Sequence, residues 1–190
     1  SGIVASHVPF YLKRKRMPSF ETNSIKIWEQ KLDKIINETL NKNMTAIAGI
    51  PPWLIMYFEK INNIKNKKIK NIFPNLSLLM YGGVNYLPYE KKINNLVGVG
   101  VKSLEVFVAS EGFLAYQNDE KEGMFLCFDN NIFYEFIPVE NLQKSPLSRI
   151  SLSEVKLKTN YALIINSSAG LWGYIIGDTV EFISLNPYKI

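Results

Sequence analysis

The chain has 190 residues, enough to bury one sizeable core. Its hydrophobic content of 47% and charged content of 21% exclude wholesale disorder. No window is apolar for long enough to span a bilayer, so no membrane partner is expected. The start, Ser1-Gly2-Ile3-Val4-Ala5-Ser6-His7, lacks the basic head and long apolar run of a signal peptide. Cys127 is the single cysteine, which excludes an internal disulfide and points to a reducing, cytoplasmic setting. The net charge of +5 is concentrated in Lys13-Arg14-Lys15-Arg16 and in Lys65-Asn66-Lys67-Lys68-Ile69-Lys70. The second run has no interleaved aromatics of the kind that stack on bases. It reads as a solvated face, so no nucleic-acid partner is expected.

In chain order, residues 25–40 predict a helix, with Trp28, Leu32, Ile35, Ile36 and Leu40 on one face and Ser24 as N-cap. Residues 44–50 read as a short buried strand. Pro51-Pro52 then opens a helix carrying Trp53, Leu54, Met56, Tyr57, Phe58 and Ile61. Pro74-Asn75 restarts the chain into a second buried strand, Leu76 to Tyr81, closed by Gly82-Gly83. Residues 88–96 suit a helix and 104–108 a third strand. After residue 112 the character changes: 124–128, 132–137, 161–166, 171–176 and 179–183 read as strands joined by short turns. The expected class is α/β, a mostly parallel sheet with flanking helices followed by a β-rich subdomain. Residues 1–112 form the α/β portion and 113–190 the β-rich portion of a single, incomplete domain. Residues 140–150 read as a surface loop.

Three segments carry candidate chemistry: Tyr81-Gly82-Gly83, Phe107-Val108-Ala109-Ser110-Glu111-Gly112 and Gly170-Leu171-Trp172 to Gly177-Asp178. The first two follow predicted strands, and open α/β sheets bind ligands beyond the carboxyl ends of their strands. Singly, each has a plainer reading. Gly82-Gly83 also suits a strand-to-helix turn, Ser110-Glu111 a helix N-terminus, and Gly177-Asp178 a hairpin turn. His7 has no partner for a metal site and reads as structural. Cys127, within Phe125-Leu126-Cys127-Phe128, reads as a small buried hydrophobe. An aromatic helix face such as Trp53, Met56 and Tyr57 suits either core or an acyl pocket.

Gly49-Ile50-Pro51-Pro52-Trp53, Tyr81-Gly82-Gly83-Val84, Ala109-Ser110-Glu111-Gly112, Phe133 to Pro138 and Gly170 to Asp178 occur in this order. Together they resemble the bacterial branch of the auxin-responsive acyl acid-amido synthetases. This is a branch of the adenylate-forming superfamily, which also holds acyl-CoA synthetases, luciferase and peptide-synthetase adenylation domains. The resemblance implies the large domain of an ATP-dependent ligase. Such an enzyme activates a carboxylic acid as acyl-AMP and transfers the acyl group to an amine or amino acid. It implies that Gly82, Gly83, Phe107, Ala109, Ser110 and Asp178 bind ATP, and that Ser110 and Glu111 are catalytic. Ser110 stands at the α-phosphate, Glu111 at magnesium, and Asp178 at the ribose hydroxyls.

Phe107 replaces the family's usual tyrosine, and Gly173 replaces an arginine common before Tyr174. No Ser/Thr/Gly phosphate loop and no C-terminal lid are found. The expectation is therefore an internal segment of a larger enzyme, inactive alone. A catalytically inactive binding or scaffold fragment and a thioester-forming acyl-CoA ligase stand as alternatives. The acid, the amine and the oligomeric state are not legible.

Overall fold

Prolines and short apolar runs set the first part of the chain. The computed structural model describes residues 9–13, 15–118, 122–144, 146 and 148–190. His7 and Arg14 lie outside the described residues. The chain divides into two compact units, Ser1–Ser103 and Leu104–Ile190. The first holds helices α1 (Phe10–Lys13), α2 (Phe20–Asn23), α3 (Trp28–Thr39), α4 (Pro51–Lys65), α5 (Ile69–Ile72) and α6 (Leu87–Val97). Its strands β1 (Ala46–Gly49) and β2 (Leu78–Tyr81) pair in parallel, Gly49 opposite Tyr81.

Pro51 and Pro52 fill the first turn of α4, where a missing N–H costs nothing. Asn66, left-handed at φ 50°, closes its far end. Helix α3 starts at Trp28, later than its periodicity predicts, and Ile27 caps it without a side-chain bond. Ser24 is not its N-cap. The Ser24 hydroxyl instead donates to the Phe20 carbonyl and closes α2, a turn that the periodicity of α3 conceals. Leu32 and Ile36 of α3, Phe58 and Ile61 of α4, Leu79 of β2 and Ile93 of α6 share one core. Surface ion pairs tie Lys60 to Asp33 and Lys92 to Glu59, each worth less than about 1 kcal/mol. In the basic run, Ile69 is buried, and the Lys70 ammonium donates to the Pro74 and Leu76 carbonyls.

The unit boundary falls inside β3 (Lys102–Ala109), so Phe107 to Glu111 belong with the β-rich part. The second unit continues with β4 (Gly112–Tyr116), β5 (Phe125–Leu126), β6 (Ile132–Pro138) and β7 (Ile150–Ser151). Next come β8 (Asn160–Ser167), β9 (Leu171–Glu181), β10 (Ser184–Leu185) and β11 (Tyr188–Lys189). From β3 onward the ladders are antiparallel. Strands β3, β4, β5, β11 and β10 are neighbours in that order, and β7, β6, β8 and β9 form a four-stranded sheet. Leu114 and Leu126 from the first set meet Tyr134, Phe136, Leu163 and Ile165 from the second in one core. At its centre Phe136, Tyr161 and Phe182 meet edge to face, with centroids 5.3 to 6.1 Å apart. The chain is thus mixed α/β, with helices around a parallel pair followed by a β-rich unit, as its class predicts.

Candidate functional site

In the first unit the candidate residues sit at the carboxyl ends of the parallel pair. Gly82 and Gly83 leave β2, and Gly83 takes φ +84°, which side chains rarely adopt. A Cβ there would only touch Ile50 at 3.6 Å, so backbone conformation rather than space selects glycine. Tyr81 and Tyr86 stack on either side of this turn, ring centroids 3.6 Å apart. Tyr86 precedes α6, so the reading of Gly82-Gly83 as a strand-to-helix turn holds locally.

Beside β1, a cleft of about 490 Å³ opens between α3, α4 and the segment from Arg16 to Asn23. Trp28 and Trp53 line it with their rings 5.2 Å apart, and Trp53 is 52% exposed. Tyr57 and Thr39 also line it, their hydroxyls 2.7 Å apart; burial pushes the Tyr57 phenol up. Arg16 and Lys31 are among its lining residues, and no carboxylate is among the described ones. Met56, grouped with Trp53 and Tyr57 by sequence, is exposed and lies outside the lining. Trp53 and Tyr57, which the sequence left open to either core or an acyl pocket, do line this cleft; its other walls were missed because they come from segments that share no periodicity.

In the second unit, Ala109 pairs with Gly112, so Ser110 and Glu111 are the two central residues of the β3–β4 hairpin. They are not a helix N-terminus. Ser110 is exposed and Glu111 half-buried. Phe107 and Ala109 pack against the core of this unit, which holds the hairpin from behind. The Asn130 amide donates to the Phe113 carbonyl at 2.6 Å, and the Cys127 amide to the Leu114 carbonyl at 2.9 Å. These bonds fix the root of the hairpin. Burial and Asp129 push the Cys127 thiol up, which disfavours the reactive thiolate.

Asp178 lies within β9, not at a hairpin turn. Ile175 pairs with Ile164 and Thr179 with Ala162, so Ile176, Gly177 and Asp178 oppose Leu163 alone. This bulge, with Gly177 at φ +90°, leaves Asp178 exposed. The hairpin therefore gathers Phe107, Ala109, Ser110 and Glu111, while Asp178 stands on the four-stranded sheet and Gly82 and Gly83 belong to the other unit.

A second bulge surrounds Gly173, which has φ +58°. A Cβ there would sit 2.7 Å from Nη1 of Arg149, inside contact distance. Arg149 in turn pairs with Glu135 at 3.2 Å. The Asn166 amide donates to Glu135 at 2.9 Å, and its oxygen accepts the Gly173 N–H at 2.7 Å. A guanidinium thus fills the space beside Gly173. Only the departure at position 173 hinted at it, since Arg149 is distant in sequence. Among the described residues, no helix is long and apolar enough to cross a membrane, and no group of three or more His, Cys, Asp or Glu could hold a metal ion.

Residues 125–188 match the GH3 family central domain. The jasmonoyl–L-amino acid synthetase JAR4 of Nicotiana attenuata is 31% identical over 159 residues, 78% of this chain and 27% of that protein. This chain belongs to the GH3 family. Its fold is shared with the GH3.15 acyl acid amido synthetase, at TM-score 0.60 and 11% identity over 88% of this chain and 40% of that one. It is also shared with a 2-hydroxyisobutyryl-CoA ligase solved in an open conformation with 2-HIB-AMP and CoA, at TM-score 0.54 and 15% identity. That match covers 88% of this chain and 33% of the ligase. The GH3 chain described here therefore spans roughly a quarter to two fifths of its relatives' length.

Proposed function

We propose that this chain supplies ATP and acid contacts to an ATP-dependent ligase that forms an acyl-adenylate and passes the acyl group to an amine or amino acid. The observation that carries the reading is the Ser110-Glu111 hairpin tip, held from behind by a packed core, in a chain of the GH3 family. In the first step a carboxylate oxygen attacks the α-phosphorus, an O–P bond forms, and pyrophosphate leaves. In the second, the amine nitrogen attacks the acyl carbonyl, AMP leaves, and the amine loses a proton to solvent.

The chain's residues serve charge neutralisation and alignment, which dominate such reactions. The exposed Ser110 hydroxyl donates to an α-phosphate oxygen. Glu111, a hard oxygen donor at an open turn, is the residue that would hold magnesium. Magnesium, when bound, spreads phosphate charge and favours in-line attack. Asp178 accepts bonds from the ribose hydroxyls, and Gly82-Gly83 lets the backbone approach the base. The cleft between α3 and α4 takes the acid. Its walls are apolar and aromatic, and its charges are Arg16 and Lys31.

Pyrophosphate exchange tests the assignment. Glu111→Ala in the active ligase lowers exchange at least about 100-fold while the unfolding midpoint stays put. Undiminished exchange at saturating magnesium refutes it. Product mass with a panel of amines against CoA separates amide from thioester formation. A calorimetric ATP titration showing no binding would favour an inactive scaffold.

A further inference from the structure

One wall of the cleft is tied to α3 by a cluster of polar bonds. The segment Arg16 to Asn23 contributes Arg16, Met17, Pro18 and Asn23 to the lining. Its helix α2 spans four residues and buries only Thr22, and its Phe20 is 65% exposed. With no apolar side chain of α2 buried, the hydrophobic effect does little to hold this turn in place.

Glu38, in the last turn of α3, takes its place. The Glu38 carboxylate accepts three hydrogen bonds from the segment: the Ser19 amide at 2.7 Å, the Ser19 hydroxyl at 2.7 Å and the Thr22 hydroxyl at 2.5 Å. Burial is the largest single influence and raises its pKa, but the bonds from Thr22 and Ser19, with Lys34 nearby, together outweigh it and bring the net shift down. The carboxylate is thus charged at neutral pH, and charge-assisted bonds are the strong kind. A second tie runs from the Lys31 ammonium to the Asn23 carbonyl at 2.7 Å.

We propose that Glu38 is a positioning residue that clasps the Arg16–Asn23 wall against α3 and so sets the size of acid the cleft admits. Glu38 touches the wall and is not among the residues lining the cleft. It governs selection through the wall, not through contact with the acid. This rests on the reading of the cleft as the acid site; the clasp itself rests only on the bonding around Glu38.

Two measurements on the chain separate these claims. Trp28 and Trp53 both line the cleft, so Trp172→Phe leaves a fluorescence signal from the cleft alone. In that background, Glu38→Ala raises the acrylamide quenching constant about twofold, as expected of local opening without loss of the core. The thermal midpoint stays near the parent's. Glu38→Gln, which keeps an acceptor for the two hydroxyls, falls between them. Unchanged quenching in Glu38→Ala overturns the clasp.

The second measurement is calorimetric binding of benzoate and 2-naphthoate. Glu38→Ala shifts the ratio of their affinities towards 2-naphthoate by about tenfold, the scale on which pocket size discriminates. An unaltered ratio overturns the selection claim. If neither acid binds either protein, the acid reading of the cleft fails, and quenching alone decides the clasp.

Discussion

The two units place candidate chemistry by different means. In the first, the Gly82-Gly83 turn follows from a parallel pair and sits at its carboxyl end, the end at which open α/β sheets bind ligands. In the second, Ser110 and Glu111 ride on a two-residue hairpin, and Asp178 on a bulge within a long strand. Helices fix the first unit by periodicity. The second depends on where antiparallel registers slip, a property of pairs of strands. One lesson follows: a Gly-x or Gly-Asp pair in the β-rich unit acts by breaking a ladder, whereas in the α/β unit it acts by ending one.

Three tests sharpen that contrast. The largest effect comes from the aromatic centre of the β-rich unit. Phe182→Ala removes a fully buried ring that meets Phe136, Tyr161 and Tyr188, and costs about 3–5 kcal/mol. Hydrogen exchange then rises more in Asn160–Ser167 than in Leu78–Tyr81. Equal loss of protection in both would break the comparison.

Next is Gly173→Ala, which forces a side chain into positive φ and against the Arg149 guanidinium. It costs about 1–2 kcal/mol in denaturant unfolding. Pairing it with Arg149→Ala relieves the steric part and leaves the backbone strain. A cost that survives in full assigns the whole effect to φ.

The last effect, absent at neutral pH, concerns Tyr134, buried on the core side of β6. Burial comes first among the causes that push its phenol up to about 12; Asn130 opposes it and Cys127 adds to it. A raised folded pKa means that the folded state holds its proton longer. Its contribution is therefore complete below the unfolded value near 10 and is lost as pH climbs towards about 12. Stability of the second unit falls across that window, and Tyr134→Phe flattens the slope. A slope unmoved by the substitution assigns the titration to another group.

Much of this was legible in the residues. The α4 start followed from Pro51-Pro52, and the buried face of α3 from spacing. Strand β6 followed from the short apolar run at 132–137 between turns. Strand β4 was not assigned, because Gly112-Phe113-Leu114-Ala115-Tyr116 is short and shows no clean alternation. It carries a register shift opposite Phe107 and Val108 that buries Leu114 and Ala115 together. Strand β9 reads as two strands because Gly177-Asp178 looks like a turn, yet pairing with β8 resumes beyond it. Ser24 looked like a cap for α3 because nothing local reveals that Glu38, fourteen residues further on, binds Ser19 and Thr22 and holds α2 as a separate turn.

The amino-acid sequence by itself determined the α/β-then-β order, the family resemblance and the residue types at each candidate position. Periodicity, proline placement and ordered motifs are local and written along one chain. Only the tertiary structure decided that Ser110-Glu111 is a hairpin tip, that Asp178 sits on a bulge, that Arg149 occupies the space beside Gly173, and that a cleft opens beside Trp28 and Trp53. Each depends on register or packing between distant segments, and those are fixed by mutual burial and pairing rather than by any residue's own preference.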